Sequence, residues 1–331
     1  MHTKKILIYG ENWEGTLPNL LYTSLLNKQF ETEIFDFTDI LPGIKDRSLL
    51  GRIKRRFFQL FYIKKINKKF LQQFYNQSPD FVIVCKGLHI SSSSLKEIKK
   101  ACSYLINWNP DDFLNMKNSN QNLITSIPEY DLIVSPREHR FSKYKALGAN
   151  KILWIDWYYI SDLHKYQACD KKYDTSFVGS WSPTRESFIG SLNSRFHIWG
   201  GGWEKASSDF KKKHIVYKEI LSQKDMSRVF TSSKFNLNML THENMDWTNL
   251  RIFEVTASGG LLLTEENAST LKYLENGKEV LLYSSADDVN HILSQKLDFD
   301  AIATAGMKRI INGNNSFDDR VSSLLDAIGA E

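Results

Sequence analysis

A short helix between residues 236 and 265 offers the most specific chemistry in this sequence, NLNMLTHENMDWTNLRIFEVTASGGLLLTE. A strand leads through a polar loop into a predicted helix over Asn249–Ala257, which Gly259 is placed to cap. Arg251 and Glu254 are three residues apart, so they share one face of that helix. Free backbone N–H groups at a helix start favour an anion, Arg251 adds a fork suited to phosphate, and Glu254 can accept hydrogen bonds from a ribose diol. The spacing fits an ordinary surface ion pair equally well.

A second helix start follows a predicted buried strand in the segment FVGSWSPTR. The strand ends at Gly179, and Ser182 and Pro183 have the residue types of an N-cap and a first helical position. Arg185 then falls in the first turn, where a cation opposes the helix dipole. A bound phosphate would reverse that penalty. The alternative is a solvated Arg185 paired with a nearby acid.

Other candidate groups also follow predicted strands. Trp199–Trp203, WGGGW, carries three glycines that allow close approach of a ligand or form a tight turn. Asp111 and Asp112 follow a strand in the first half, and His89 follows another. These three side chains are candidates for a general base, although paired acids in a loop are more often a solvated turn or a helix cap.

Several motifs are missing from the sequence, and their absence narrows the chemistry. The segment after the first strand, GENWEG, lacks the G-x-G-x-x-G spacing, and G-x-x-x-x-G-K-[ST] and G-x-S-x-G do not occur. The eight histidines show neither H-x-x-x-H nor H-E-x-x-H, so a zinc site is not expected. Three cysteines far apart fit no disulfide framework and indicate a reducing cytoplasm.

Positive charge is concentrated between residues 45 and 70. Ten Lys/Arg and one acid lie between Lys45 and Lys69, whereas the whole chain has a net charge of +5. Aromatic and aliphatic residues alternate with these charges in RIKRRFFQLFYIKKINKKFLQQF. Such a segment is typical of a helix on an anionic membrane surface, and equally of a solvated helix with one packed side. Nucleic-acid binding is the weakest alternative because no known module is present.

The elements that position these residues alternate between apolar strands and amphipathic helices, which predicts α/β domains with parallel sheets. With 331 residues, 42% hydrophobic and 24% charged, the chain is long enough for two domains. We predict domains over residues 1–165 and 166–331, with the boundary in the polar stretch Ser161–Tyr173. No apolar run reaches the length of a membrane helix, and the N-terminus lacks the features of a signal peptide.

The predicted strands fall into two sets. They are Lys5–Tyr9, Glu31–Phe37, Phe81–Cys85, Tyr104–Trp108, Asp131–Ser135 and Lys151–Ile155 in the first half, then Thr175–Val178, Phe196–Trp199, Phe235–Met239, Gly260–Thr264 and Val280–Tyr283. Ligands bind at the carboxyl ends of the strands in doubly wound sheets.

Six strings in the second half, taken in order, resemble the CgeB-like (spore-maturation-protein-like) glycosyltransferases, whose C-terminal part is of the glycosyl transferases group 1 type. They are DTSFVGSWSPTR, IWGGGW, SKFNLNML, NLRIFEVTASGGLLLTE, GKEVLLY and AGMKRI. The resemblance is specific over residues 174–309. NWNPDD and YDLIVS in the first half agree more loosely.

The resemblance implies a GT-B fold, in which two Rossmann-like domains face a central cleft. The N-terminal domain would bind the acceptor and the C-terminal domain the nucleotide-sugar donor. The final helix, Asp318–Ile328, would cross back to the first domain as in other GT-B proteins.

By the same resemblance Glu254 would hold the ribose hydroxyls, and Arg251 and Arg185 the diphosphate. Asp246 stands where related enzymes carry the first acid of an E-x7-E pair, and it is one carbon shorter. The remaining expected donor-site residues are Gly179, Ser180, Gly201, Asn249 and Ser258.

The expected function is metal-independent transfer of a sugar from a UDP- or GDP-linked donor to a glycan, lipid-linked or protein acceptor in surface polysaccharide or glycoconjugate biosynthesis. No cofactor is expected beyond the donor, and no nucleic-acid partner. The expected location is the cytoplasm, with peripheral contact at the inner face of the membrane through residues 45–70. The alternatives are a non-catalytic protein that binds sugar nucleotides or glycans, and a sugar-nucleotide epimerase.

Overall fold

A computed structural model describes residues 4–44, 48–115, 118–240 and 247–330. The chain forms two compact units, Met1–Asp156 with Arg320–Glu331, and Trp157–Asp319. The second unit therefore begins before the predicted start at residue 166, because Tyr159 is already buried in its core and pairs with Ser316. Residues from Arg320 onward return to the first unit, which the resemblance implied for the final helix.

The first unit contains a sheet of six parallel strands among its described residues, in the order β2-β1-β3-β4-β5-β6. The strands are β1 Lys5–Gly10, β2 Glu31–Asp36, β3 Phe81–Cys85, β4 Tyr104–Trp108, β5 Leu132–Ser135 and β6 Lys151–Trp154. The helices are α1 Leu17–Asn27, α2 Leu49–Phe57, α3 Gln59–Gln77, α4 Ser92–Lys99, α5 Gln121–Thr125 and α6 Phe141–Ala146.

The described part of the second unit also has six parallel strands, in the order β12-β11-β10-β7-β8-β9. The strands are β7 Tyr173–Val178, β8 His197–Trp199, β9 Ile215–Val216, β10 Ser233–Asn238, β11 Leu262–Glu265 and β12 Leu281–Tyr283. The helices are α7 Pro183–Ser191, α8 Ser208–Lys213, α9 Gln223–Ser232, α10 Leu250–Ala257, α11 Ala286–Ser294, α12 Phe299–Asn312 and α13 Phe317–Ile328, which ends in the first unit.

Both sheets are covered by helices, which explains why their strands are continuous apolar runs. Every residue of β3 is buried, and Val82 and Val84 join Phe70 and Phe74 of α3 in the first core. These burial patterns and the all-parallel pairing confirm the predicted α/β fold with two Rossmann-like sheets. The prediction missed β9, since a two-residue edge strand is too short to carry a periodic pattern.

Strand order reverses at one place in each sheet. In the second unit, β7 lies between β8 and β10, so its connections run to opposite sides. In the first unit the reversal falls between β1 and β3. Crevices at such switch points, beyond the carboxyl ends of the strands, are where ligands bind in open α/β sheets.

Candidate functional site

The switch point of the second unit carries the residues that the sequence singled out. Gly179 and Ser180 follow β7, and Met239 follows β10, its neighbour in the sheet. Two helices, α7 and α10, begin beyond these strands. The structure thus brings together segments that are about 60 residues apart in the chain.

Arg185 links the ends of the two strands. The Ser182 hydroxyl accepts a hydrogen bond from the Arg185 backbone N–H at 3.2 Å, and Pro183 opens the helix, which confirms the predicted cap. The Arg185 guanidinium donates to the Ser180 carbonyl at 2.7 Å and to the Met239 carbonyl at 3.4 Å. It also lies over the Phe177 ring, 5.4 Å from its centre. These contacts hold the cation in a fixed position at the switch point.

The helix α10 presents its first turn to the same region. Asn249 is its N-cap residue, but within the described residues its side chain caps no backbone N–H. Instead, it exchanges two amide hydrogen bonds with Asn238 of β10, at 3.0 and 3.2 Å. No side-chain cap from Asn249 thus covers the backbone N–H groups of the first turn in the described part of the chain, and such groups favour an anionic ligand.

Arg251 and Glu254 form the ion pair that their spacing allowed, between Arg251 Nη1 and Glu254 Oε2. This is not a solvated surface pair, because Glu254 is 4% exposed. The Arg251 guanidinium also lies 5.1 Å from the centre of the Phe230 ring. Both side chains are consequently fixed on one face of α10.

The two guanidinium groups influence each other. Burial, followed by the positive charge of Arg251, lowers the pKa of Arg185 from its usual value. Glu265 at the end of β11 faces Arg185, and burial raises the pKa of this carboxyl while Arg185 opposes the shift. A doubly negative ligand placed between the arginines would relieve their repulsion.

The three-glycine segment packs against the turn that follows β7. Gly200 has φ +138°, and a Cβ there would lie 2.2 Å from the Gly179 carbonyl oxygen. The Trp181 backbone N–H donates to the Gly201 carbonyl at 2.9 Å. A Cβ on Gly201 would meet no described atom within 4 Å, and this glycine lines an open pocket of about 650 Å³. Gly179, Ser180 and Gly201 therefore lie in adjacent turns. That they line a nucleotide stays a prediction.

Ser258 lies at the other end of α10 and does not join this group. It is fully buried, and its hydroxyl donates to the Glu254 carbonyl at 2.7 Å and shares a hydrogen bond with the Ser227 hydroxyl at 2.9 Å. These contacts fasten the helix end to α9. Gly259 follows with φ +78°, which fits the predicted cap.

The two aspartates of the first unit have different surroundings. Asp112 is nearly buried, accepts from the Leu114 backbone N–H at 2.9 Å and pairs with Arg140 at 2.6 Å. Asp111 is more exposed and pairs with Lys86 Nζ at 2.9 Å. Asp112 therefore stabilises its loop, whereas Asp111 belongs to a charged cluster at the carboxyl edge of the sheet.

Lys86 adopts a backbone conformation that is rare for a residue with a side chain. Its φ is +62°, and the turn is closed by a hydrogen bond from the Gly87 N–H to the Cys85 carbonyl at 2.8 Å. A γ-turn of this hand is strained, and strained residues tend to lie at functional sites. Lys86 directly follows β3, which borders the switch point of the first unit.

His89 has other neighbours than the two aspartates. Its ring packs edge-on against Phe37, 5.2 Å between ring centres, and lies near Arg55. Burial, with a smaller contribution from Arg55, lowers the pKa of His89 to about 4. The imidazole is therefore neutral and weakly basic at physiological pH.

Sequence reasoning missed three polar groups that the structure adds. Glu11 follows β1 at the first switch point, where burial raises the pKa of its carboxyl and Lys86 opposes the shift. Its position directly after the first strand could have identified it from the sequence as a candidate site residue. Glu265 is the last residue of the buried strand β11, which was a similar signal. His164, which lies beside Glu254, falls in a stretch without any periodic pattern.

Two further findings concern only the part of the chain that the structure describes. It holds no group of three or more His, Cys, Asp or Glu side chains arranged to bind a metal ion. None of its helices combines the length and apolarity that crossing a bilayer requires. Asp246 lies outside the described residues, as do Lys45 and Arg47 of the basic segment.

Comparisons with known proteins bear on the family and the fold. Residues 184–326 match a family described as glycosyl transferase-like. The fold is similar to sucrose-phosphate synthase from Thermosynechococcus elongatus, with a TM-score of 0.71 and 9% identity over 98% of each chain. No curated protein sequence matches the chain.

Two other solved structures are similar over nearly the whole chain. One is an alpha,alpha-trehalose-phosphate synthase (UDP-forming) from Burkholderia vietnamiensis, with a TM-score of 0.67 and 11% identity over 99% of this chain and 100% of that one. The other is Anabaena Alr3699/HepE in complex with UDP and glucose, with a TM-score of 0.64 and 10% identity over 99% and 100%. The fold is thus GT-B, and residues 184–326 form a glycosyl transferase-like region.

Proposed function

We propose that this enzyme transfers a sugar from a nucleoside diphosphate sugar, UDP- or GDP-linked, and that the second unit binds the donor. The observation that carries the proposal is the meeting of Arg185, Arg251 and the uncapped start of α10 at the switch point. Anabaena Alr3699/HepE, which has a similar fold, is described in complex with UDP and with UDP-glucose. Two arginines and the backbone N–H groups of a helix start are suited to a donor with two linked phosphates.

Each donor-site residue has a role that its contacts suit. Arg185 and Arg251 bind the diphosphate and stabilise the negative charge that develops as the nucleoside diphosphate leaves. Glu254 accepts hydrogen bonds from the ribose hydroxyls. Backbone groups of the turns after β7 and β8 approach the nucleotide. These cations and the helix start take over the electrostatic role of a metal ion, so the proposed transfer is metal-independent.

The first unit is proposed to bind the acceptor, which we assign to the class of glycans, lipid-linked sugars or proteins used in surface polysaccharide or glycoconjugate biosynthesis by CgeB-like enzymes. Asp111 is the better of the two candidate aspartates for deprotonating an acceptor hydroxyl in an inverting reaction. Its carboxylate is 31% exposed, while that of Asp112 is 4% exposed and is held by Arg140. A retaining reaction needs no such base.

We further propose that α2 and α3 hold the enzyme at the inner face of the cell membrane. Phe57, the last residue of α2, and Leu60, in the first turn of α3, are 81% and 76% exposed. Three arginines lie on α2: Arg52, Arg55 and Arg56. Exposed apolar side chains beside several cations match an anionic bilayer surface. Sedimentation with anionic phosphatidylglycerol vesicles, but not with phosphatidylcholine vesicles, is expected for the wild type, and Phe57→Ser with Leu60→Ser is expected to abolish it.

The donor proposal is tested by a thermal-shift panel of UDP, GDP, CMP, ADP and TDP against the wild type and Glu254→Gln. A ligand that binds the native state alone raises Tm by mass action. We expect UDP or GDP to raise the wild-type Tm and to have a smaller effect on Glu254→Gln. Asp225→Asn, a change to an exposed carboxylate on α9, is the control and should respond like the wild type. If no nucleotide raises the wild-type Tm, the donor proposal is wrong.

Turnover separates the proposed transferase from its two alternatives. Release of the nucleoside diphosphate that requires an added acceptor supports transfer. Conversion of the free donor without any acceptor indicates an epimerase. Binding without turnover across an acceptor panel indicates a protein that only binds the nucleotide sugar.

A further inference from the structure

A fully buried histidine lies behind the carboxylate of Glu254. The side chain of His164 is 0% exposed, and its Nδ1 accepts a hydrogen bond from the Ile160 backbone N–H at 2.9 Å. Since Nδ1 is an acceptor, the proton of the neutral ring is on Nε2. Burial lowers the pKa of His164 below its usual range, with Glu254 opposing, so the ring is neutral at physiological pH. The local fold thus selects one tautomer.

That tautomer directs a donor towards the carboxylate. His164 Nε2 is 3.9 Å from Glu254 Oε1, and the Gln223 side chain is a second polar neighbour of the ring. Glu254 Oε2, the other carboxylate oxygen, is held by Arg251. The Nε2–H of this tautomer therefore has two polar neighbours, the Gln223 amide and the Glu254 carboxylate, and the charged carboxylate attracts a donor more strongly. The two oxygens of Glu254 are faced from two directions by different donors.

The backbone of Glu254 is fixed independently of these side-chain contacts. The Ser258 hydroxyl donates to the Glu254 carbonyl at 2.7 Å, and Ser258 is bonded to Ser227 of α9. The carboxylate alone is therefore left to be oriented by the surrounding donors. A neutral donor is suited to this task, because it restricts the carboxylate without cancelling the charge that binds hydroxyl groups.

We propose that His164 is a positioning residue for the donor: its Nε2–H fixes Glu254 Oε1, so that the carboxylate meets the ribose diol in one orientation. This inference rests on the proposed function, in which Glu254 recognises ribose. His164 contacts neither the phosphates nor the sugar. Its effect is confined to ligands that carry the ribose hydroxyls.

The experiment measures affinities for UDP and for 2′,3′-dideoxy-UDP by calorimetry. We expect the wild type to prefer UDP by about tenfold or more, the worth of hydrogen bonds to a charged group. His164→Asn keeps an acceptor near Nδ1 but loses the Nε2 donor, and we expect its preference to fall to about twofold. His164→Gln can place an amide donor near Nε2 and should recover most of the preference. Affinity for dideoxy-UDP should be similar in all three proteins.

The possible outcomes separate this inference from the proposed function. If His164→Asn weakens both ligands equally, or leaves the preference unchanged while Glu254→Gln abolishes it, the positioning role is wrong and the donor site stands. If Glu254→Gln keeps the preference, Glu254 does not recognise ribose, and the inference fails with that assignment. If the wild type binds neither ligand, a UDP donor and the inference both fail. His291→Asn, a change to an exposed residue on α11, is the matched control and should behave like the wild type.

Discussion

Arg185 shows how a single side chain joins two parts of the donor site. Its guanidinium donates to carbonyls that follow β7 and β10, and neither contact neutralises its charge. The carbonyl partners orient the guanidinium without cancelling its positive charge, so that charge is available to bind a phosphate. The role of Arg185 therefore differs from that of Arg251, whose carboxylate partner Glu254 shares the same helix.

Replacing Arg185 by Gln is expected to weaken UDP binding by about 10- to 100-fold, because hydrogen bonds to a charged group contribute about 1.5–3 kcal/mol. Calorimetric titration with UDP measures the loss. Arg228→Gln is the control: this arginine is on the exposed surface of α9 and pairs with Asp225 at 3.3 Å. Equal affinities for Arg185→Gln and the wild type would contradict the assignment of Arg185 to the diphosphate.

Glu11 gives a prediction about pH at the same scale. Burial raises the pKa of its carboxyl from the usual 4.5, so the folded state disfavours the charged form. Between the unfolded and folded pKa values the native state binds more protons, and stability therefore falls as pH rises through this window. Glu11→Gln should raise Tm at pH 7, and this gain should shrink as pH falls towards 4.5 and vanish at lower pH, where the carboxyl is protonated in both states.

The measurement for Glu11 is a series of thermal unfolding curves across pH. The neighbouring exposed Glu14 provides the control, since Glu14→Gln should leave Tm nearly unchanged at every pH. A Glu11→Gln protein that is less stable than the wild type at pH 7 would argue against a carboxylate held at a cost in stability.

At the scale of elements, the turns after β7 and β8 pack with their backbones in close contact, and this packing requires a residue without a side chain. Gly200 has a positive φ and no room for a Cβ beside Gly179, whereas Gly201 in the same turn has open space. Gly200→Ala is therefore expected to destabilise the protein by about 1–3 kcal/mol. Gly201→Ala should change stability by less than about 1 kcal/mol.

The glycine pair is compared by chemical denaturation and by UDP titration. Gly201→Ala should weaken UDP binding if this glycine lines the nucleotide, while leaving the unfolding midpoint close to that of the wild type. Similar stability losses in both variants would show that the open space beside Gly201 does not matter for folding. An unchanged UDP affinity in Gly201→Ala would remove this residue from the donor site.

Periodicity and cap chemistry are the features that made elements predictable from the sequence. Strands β3 and β4 have the predicted bounds, and the cap at Ser182 follows from residue types alone. The γ-turn at Lys86 was not predictable, because nothing in its residue type favours a positive φ. Likewise, the partnership of His164 with Glu254 arises from packing between segments about 90 residues apart, which no local pattern encodes.

At the scale of the whole molecule, the chain uses two strand orders for two parallel sheets. The second sheet follows the order 3-2-1-4-5-6 when its strands are counted from β7, which is the dinucleotide-binding arrangement. The first sheet has the order 2-1-3-4-5-6. Composition predicted two domains, but the domain boundary and the return of the chain depend on tertiary contacts. Lys4 and Lys28 of the first unit, for example, bond to Gly329 and Ser322.

The returning segment gives a prediction for the whole molecule. Leu324 of α13 is fully buried and belongs to the first unit, although it follows the second unit in sequence. Leu324→Ala should destabilise the first unit by about 2–5 kcal/mol through lost burial and a cavity. Amide hydrogen exchange should then accelerate in β1–β6 more than in β7–β12, because a destabilising change promotes opening mainly within the cooperative unit that contains it.

Two comparisons decide whether the last helix belongs to the first unit in energetic terms. Leu271→Ala, at a leucine that is 48% exposed in the second unit, should change stability by less than about 0.5 kcal/mol. UDP affinity of Leu324→Ala, measured where the protein is still folded, should match the wild type because the donor residues all lie in Trp157–Asp319. Faster exchange in β7–β12 with β1–β6 unchanged would instead assign α13 to the stability of the second unit, and the division of the chain into these two units would have to be redrawn.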